Sequence, residues 1–496
     1  MAGIIRQNLV YAALDKADSL TDFEKYKNID SRYEFKKETV LNDETLNENE
    51  KIEAIKILTK DYDYFKVLYN TGTKRSCKEC QKECLATLYC EHCIRIFLKN
   101  NFSNWTSNNN DIDSLLQRCQ EESFRPNKIL EWIPYEKLQN IEYLTRGGCS
   151  EIYTADWIDG QYIEWDQVNK QLKRTGSHKV ILKTLINVLN ANRSWFEEAK
   201  VHLTIGNKST EIVKCYGLTQ EPKNGVYMLV MQLMDTNLKK YLNNHHPLTW
   251  KEKIKISYDI VDALHSIHSN NAIHRDLHSG NILYLKSKNY WYISDFGFCG
   301  PADKSLNSVY GNLPYIAPEV LIRKESTFKS DIYSFGMLMW EIASEQTPFN
   351  NCKHDFYLAM GIINGLRPRN ISGIPSEYKE LMKKCLDADP LQRPDIDTLF
   401  NEIEKMWKNS YTEPEFLLAP NLLFPRNFQP SSSSKLHSLS TSSKLHRFKN
   451  LPEPVNAIGA FHSRPYDFNI PHTRNLEITS EGIILKFELL LYVILY

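Results

Sequence analysis

From Thr249 to Ser269 the apolar positions Trp250, Ile254, Tyr258, Val261 and Leu264 recur every three to four residues, which lays them along one face of a helix. Thr249 and Glu252 have the spacing of a capping box at its start. Beyond this helix the pattern shortens to two apolar runs, Ile282-Leu-Tyr284 and Tyr290-Trp-Tyr-Ile293, which read as short strands. Strand-like and helix-like segments alternate in this way through residues 138–408, and the pattern predicts one α+β domain there.

The flanking regions differ. Residues 1–75 are rich in Lys, Glu and Asp, and Ile52, Ile55, Leu58 and Tyr62 fall at helical spacing, so a helical region is expected. Residues 96–137 contain the polar run Ser107–Asp113 and read as a linker. Residues 156–179 read as an insertion between strands. Aromatic alternation in Trp157–Trp165 and the Asp159-Gly160 turn signal predict an extended hairpin there. Residues 409–496 form a tail. Within it, residues 431–450 hold eight Ser, four Lys or Arg and no acid, and the pentapeptide SSKLH occurs twice. Such composition cannot bury a core, so disorder is expected. The sharper alternative is a phosphorylation segment, or one that docks partners.

Composition narrows the classes. Lys plus Arg equals Asp plus Glu at 61 each, so there is no general field for nucleic acid or anionic membrane, and no nucleic-acid partner is expected. The apolar stretch Ile483–Tyr496, interrupted by Lys486 and Glu488, is too short to span a bilayer. The start lacks the pattern of a signal peptide. Eleven cysteines, an odd number and mostly scattered, do not make a disulfide framework. An intracellular, cytoplasmic protein is expected, and the sequons at Asn101 and Asn104 are then chance matches.

The chemistry concentrates at His274-Arg-Asp-Leu-His-Ser-Gly-Asn281 and Asp295-Phe-Gly297. Both lie at the ends of neighbouring short strands. Phosphoryl transfer needs a carboxylate near the attacking hydroxyl and metal ions on the phosphates. Magnesium takes one or two carboxylates with phosphate oxygens and water, and Asp295 and Asn281 offer oxygen ligands of that kind.

These segments resemble the catalytic loop and the metal-binding motif of protein kinases. Further matches follow in order: Val180-Ile-Leu-Lys183, Glu198 in WFEEAK, Ala317-Pro-Glu319, Asp331–Gly336 and Arg393 in LQRP. The resemblance covers residues 138–408 and is greatest to the tyrosine-kinase-like branch, whose members mostly phosphorylate Ser and Thr. It implies a bilobal fold, with a small β-rich N-lobe carrying one main helix and a larger helical C-lobe. It also implies ATP and Mg2+ as cofactors and proteins as substrates. Asp276 is then the base or orienter of the substrate hydroxyl, and Asn281 and Asp295 are the Mg2+ ligands. Lys183 holds the α- and β-phosphates, and Glu198 holds Lys183. Met231, Gln232 and Met234 belong to the hinge that binds adenine. Arg275 would meet a phosphorylated residue of the activation segment, with Ser305 or Ser308 as the expected site.

Two departures stand out. The glycine-rich loop aligns with Thr145–Ile152, where Thr145 and Ser150 replace the outer glycines and Gly147, Gly148 and Ile152 remain. Glycines let the backbone approach phosphates, so weaker ATP binding is one consequence. Two residues beyond Asp276, where Ser/Thr kinases usually carry Lys, stands His278. The Trp that precedes the Ala-Pro-Glu triplet in tyrosine kinases is absent too. Ser/Thr specificity is expected, with Tyr left open.

Five cysteines fall between Cys77 and Cys93. Paired C-x2-C units, Cys77/Cys80 and Cys90/Cys93, suit tetrahedral structural zinc, with Cys84 and His92 as substitute ligands. A short Cys-rich element ahead of the kinase domain also resembles certain fungal kinases of this branch. The reading is an active Ser/Thr-type protein kinase with a zinc element. Its rivals are a pseudokinase scaffold and a zinc-based interaction adaptor.

Overall fold

The computed structural model describes residues 5–123, 125–146, 150–185, 203–205, 209–244, 247–295, 309–412, 443–446, 448 and 451–456. The chain opens with three helices, α1 (Gln7–Ser19), α2 (Ile29–Leu41) and α3 (Glu48–Tyr69). α3 begins at a capping box in which Asn47 and Glu50 bond each other's backbone N–H. Val10, Ala13, Ala17, Val40, Leu46 and Ala54 close a small core among the three. The α3 helix matches the apolar spacing, but its face is rotated. Ile52 is 66% exposed, while Ala54, Leu58 and Tyr64 are buried.

Next comes the cysteine element. Strands β1 (Arg75–Ser76) and β2 (Glu83–Cys84) pair antiparallel, and helix α4 (Glu91–Asn100) follows. Asp63 of α3 clamps it, accepting the N–H groups of Thr87 at 2.7 Å and Leu88 at 2.8 Å.

The stretch 96–137 is not the expected linker. It contains the end of α4, helix α5 (Asn110–Glu121) and strand β3 (Glu131–Trp132). The polar run that suggested a linker is the cap of α5. Asn109 accepts the N–H of Asp111 and Ile112, and Asp113 takes the N–H of Ser107 at 2.8 Å. Behind the cap, Ile112, Leu115, Leu116 and Cys119 join the core beneath the main sheet.

That sheet has six strands in the order β3-β9-β10-β8-β5-β4. They are β3, β4 (Leu138–Arg146), β5 (Glu151–Trp157), β8 (His178–Thr184), β9 (Cys215–Gln220) and β10 (Tyr227–Gln232). β3 runs parallel to β9; the other pairs are antiparallel. Between β5 and β8, β6 (Tyr162–Asp166) and β7 (Gln171–Arg174) make the expected hairpin. Asp159-Gly160 is the bend leading into it rather than its tip. Tyr162, Trp165 and Leu172 of this hairpin pack on Tyr89, Ile94 and Leu98, so it holds the cysteine element against the sheet.

The larger lobe is helical. The helix Trp250–Ser269 starts at the Thr249–Glu252 capping box and packs with the helix Ile396–Thr412 around Leu264, Leu399 and Ile403. The helix Phe328–Ser344 is buried almost all round, as a central core helix is. A three-stranded sheet of β11 (Thr236–Asn237), β12 (Ile282–Leu285) and β13 (Tyr290–Ile293) carries the catalytic segments. The chain is thus α+β and bilobal. No helix among the described residues is long and apolar enough to cross a membrane. Within the expected tail, residues 443–446, 448 and 451–456 lie against the larger lobe, where strand β15 (Lys444–His446) pairs with β14 (Val309–Gly311). The segment Ile483–Tyr496 lies outside the described residues.

Candidate active site

The catalytic loop connects the helix Trp250–Ser269 to β12, and Asp331 pins it. The Asp331 carboxylate accepts the backbone N–H of His274 at 2.8 Å and of Arg275 at 2.9 Å, and it meets His268 Nε2 at 3.0 Å. Arg275 has φ 69, a left-handed conformation that costs a non-glycine residue about 1–3 kcal/mol. Two N–H bonds to a charged acceptor, each worth roughly 1.5–3 kcal/mol, outweigh that cost. His274 is fully buried; its Nδ1 accepts the Asp276 N–H at 3.3 Å, so its Nε2–H donates to Ser294 O at 2.9 Å.

Asn281 donates Nδ2 to Asp276 O at 2.9 Å, which leaves its amide oxygen as the atom suited to a cation. Asp295, at the end of β13 and also left-handed with φ 51, forms an ion pair with Lys183. Lys183 is buried on β8, with Ile152 of β5 and Leu229 of β10 as its strand neighbours. Met231 and Gln232 end β10. Met231 is buried, and the Gln232 N–H is committed to Lys214 O at 2.9 Å. Met234 follows in the connection to β11. Gly147, Gly148, Glu198, Ser305 and Ser308 lie outside the described residues.

Two buried networks brace the site. Arg393 grips Glu319 through two hydrogen bonds of 2.7 Å. Glu341, in the helix Phe328–Ser344, accepts Tyr315 Oη at 2.6 Å and Ser279 Oγ at 2.9 Å. Burial pushes the Glu341 carboxyl up to about 7, against the pull of those two hydrogen bonds. The Glu341 network was not read from the sequence. Glu341 sits in an apolar helix run without a motif around it.

The other group not anticipated is Ser443. Its Oγ donates to Asp276 Oδ1 at 2.7 Å and lies 3.1 Å from His278 Nε2. The Gly280 N–H donates to His278 Nδ1 at 3.1 Å, so the proton of the neutral ring sits on Nε2. Burial lowers the His278 pKa and keeps the ring neutral. His278 Nε2–H therefore donates to Ser443 Oγ, whose own proton points to Asp276. Gly280 is required here, because a Cβ would come 2.7 Å from His278 Cε1. The duplicated SSKLH pentapeptide was the signal that could have drawn attention to Ser443.

In the cysteine element the sulfurs of Cys77, Cys80, Cys90 and Cys93 lie within 4.8 Å of one another. Cys77–Cys93 and Cys80–Cys90 are each separated by 3.7 Å. Zinc–sulfur distances of about 2.3 Å give a tetrahedron with edges near 3.8 Å, so the cluster fits one ion. Burial opposes ionisation of Cys77, yet N–H groups of Cys80 and Glu79 and the neighbouring thiols bring its pKa down to about 7. His92 Nε2 is engaged with Glu83 O at 3.0 Å. Cys84 groups with Cys90 and Glu91 instead.

A two-lobed α+β domain with a lysine and two acidic groups converging beside a loop asparagine is the framework of a phosphotransferase. A family model for protein tyrosine and serine/threonine kinase matches residues 138–403, and the chain belongs to the protein kinase family, whose cofactors are ATP and Mg2+. It is 31% identical over 255 residues to the dual specificity protein kinase shkE of Dictyostelium discoideum, covering 49% of this chain and 35% of that one. It is 32% identical over 171 residues to the human dual serine/threonine and tyrosine protein kinase, covering 34% of this chain and 18% of the relative. The chain spans between 8% and 35% of the length of such relatives.

Proposed function

We propose that this chain is an active kinase that transfers the γ-phosphoryl group of ATP to Ser or Thr hydroxyls of protein substrates. The observation that carries the reading is the convergence of Lys183 on Asp295 across 112 residues of sequence, beside Asp276 and Asn281. Asp276 accepts the hydroxyl proton. Asn281 and Asp295 would hold Mg2+, which would supply positive charge beside the phosphates when bound. Lys183 would take the α- and β-phosphates, with Glu198 as the partner that the resemblance implies. The resemblance implies that Gly147, Gly148 and Ile152 would cover the nucleotide. Adenine meets the hinge of Met231, Gln232 and Met234 through backbone groups other than the Gln232 N–H. A short serine side chain reaches Asp276 with His278 donating to it, and this favours Ser/Thr over Tyr.

Cys77, Cys80, Cys90 and Cys93 would hold a structural zinc, since four thiolates leave no open position for water. Four cysteines gathered for a metal rather than for disulfides fit an intracellular, cytoplasmic location.

A degenerate peptide array, incubated with the purified chain, ATP and Mg2+, tests the activity. Phosphate on Ser/Thr peptides is the expected outcome. Phosphate confined to Tyr peptides would overturn the specificity, and ATP binding with no transfer would point to a scaffold.

A further inference from the structure

The segment around Ser443 lies where a protein substrate would lie. β15 pairs antiparallel with β14 of the activation segment in the register Val309–His446, Tyr310–Leu445 and Gly311–Lys444. His446 Nε2 meets Gly311 O at 3.0 Å, and Gly311 has φ 140, where an added Cβ would lie 3.5 Å from Asp276 Oδ1. That register sets Ser443 on the catalytic carboxylate. Further along, buried Phe448 stacks near His446 and accepts from Arg323 through its carbonyl. Lys324 pairs with Glu453 at 2.9 Å, Val455 N–H donates to Ile363 O at 2.8 Å, and Asn456 bridges Ala388 and Asp387 at 2.6 and 2.9 Å. The segment is thus anchored from the active site to the far side of the lobe.

We propose that Ser443 is the chain's own phosphoacceptor, modified in cis by the site it occupies. The inference rests on the reading of the chain as an active kinase. Ser443 Oγ forms a bond to the γ-phosphorus of ATP as the bond from that phosphorus to the bridging oxygen breaks. ADP leaves, and the hydroxyl proton passes to Asp276 Oδ1. His278 donates to Oγ from the other side and fixes its position. Thirty residues separate Thr412, the end of the last helix of the lobe, from Ser443. At about 3.3 Å per residue that connection has ample reach, and tethering makes the encounter intramolecular. The phosphate formed would stand against the Asp276 carboxylate, and like-charge repulsion would expel the segment.

Sequence sharpens the test, because the same pentapeptide at Ser433–His437 offers Ser434 in the corresponding position. The full-length chain, dephosphorylated and freed of phosphatase, is incubated with ATP and Mg2+ over a wide range of protein concentrations. Sites are mapped by mass spectrometry, and a degenerate Ser/Thr peptide library is assayed in parallel. The expected result is phosphate on Ser443 with a first-order rate constant independent of protein concentration, lowered at least roughly a hundredfold by Asp276→Asn and by Lys183→Met. Labelled library with unmodified Ser443 would overturn the proposal and leave the kinase reading standing. So would phosphate on Ser434 alone, or a fraction modified per unit time that rises in proportion to protein concentration. No label on either would remove the kinase reading and this inference together.

Discussion

Arg393 closes on Glu319 through paired hydrogen bonds of 2.7 Å, with both side chains buried. The pair ties the Ala-Pro-Glu end of the activation segment to the loop before the last helix. Removing one partner of such a pair leaves an uncompensated buried charge, worth about 3–5 kcal/mol. Arg393→Ala should destabilise the chain by that amount in denaturant unfolding, and Arg393→Lys should recover little of it, because lysine cannot form the two-pronged contact. An unchanged midpoint for Arg393→Ala would show that the pair contributes nothing.

Glu341 should make stability depend on pH. Its folded pKa of about 7 lies above its ordinary value of 4.5 because of burial. The stabilisation is therefore full below about 4.5 and lost as pH rises through about 7. Glu341→Gln should flatten this dependence, by at most about 3 kcal/mol. The quantity to follow is the difference between wild-type and variant unfolding midpoints, because other buried carboxyls such as Asp259 titrate in the same range. Parallel pH profiles would refute the assignment.

Metal analysis of protein purified without chelator should find one zinc per chain. Cys90→Ser should lose it and lower the melting temperature, because Tyr89, Ile94 and Leu98 then lose the frame that holds them against Trp165. Zinc retained by Cys90→Ser would exclude the four-thiolate site.

Much of the active site was legible because its chemistry fixes residue types at fixed spacing. The motifs that carry Lys183, Asp276, Asn281 and Asp295 come together in the fold, with Lys183 paired to Asp295 and Asn281 bonded to the Asp276 backbone. Less legible was anything defined by what it packs against. Asn109 and Asp113 looked like linker residues because a helix cap and a loop share the same polar composition. Ile52 has helical spacing but faces solvent, since the partners of α3 choose its buried face. Ser443 sits in a serine-rich stretch whose composition argues for disorder, and only the strand pairing with Val309–Gly311 sets it on Asp276.

The β14–β15 pairing also predicts competition. Leu445→Pro removes a backbone N–H from β15 and so disfavours the pairing. It should lower the apparent KM for an external Ser/Thr peptide while leaving kcat nearly unchanged. An unchanged KM would mean that the segment does not occupy the substrate site.

Lys183, Asp276 and Asp295 are proposed to form one working phosphotransfer site. Its most direct test is the rate of phosphate transfer from ATP to peptide by the wild-type chain and by Asp276→Asn, with folding of the variant checked by its melting temperature. A folded variant slowed at least roughly a hundredfold is the expected result, since a positioned catalytic group contributes about 2.7–4 kcal/mol. A folded Asp276→Asn variant with wild-type activity would contradict it.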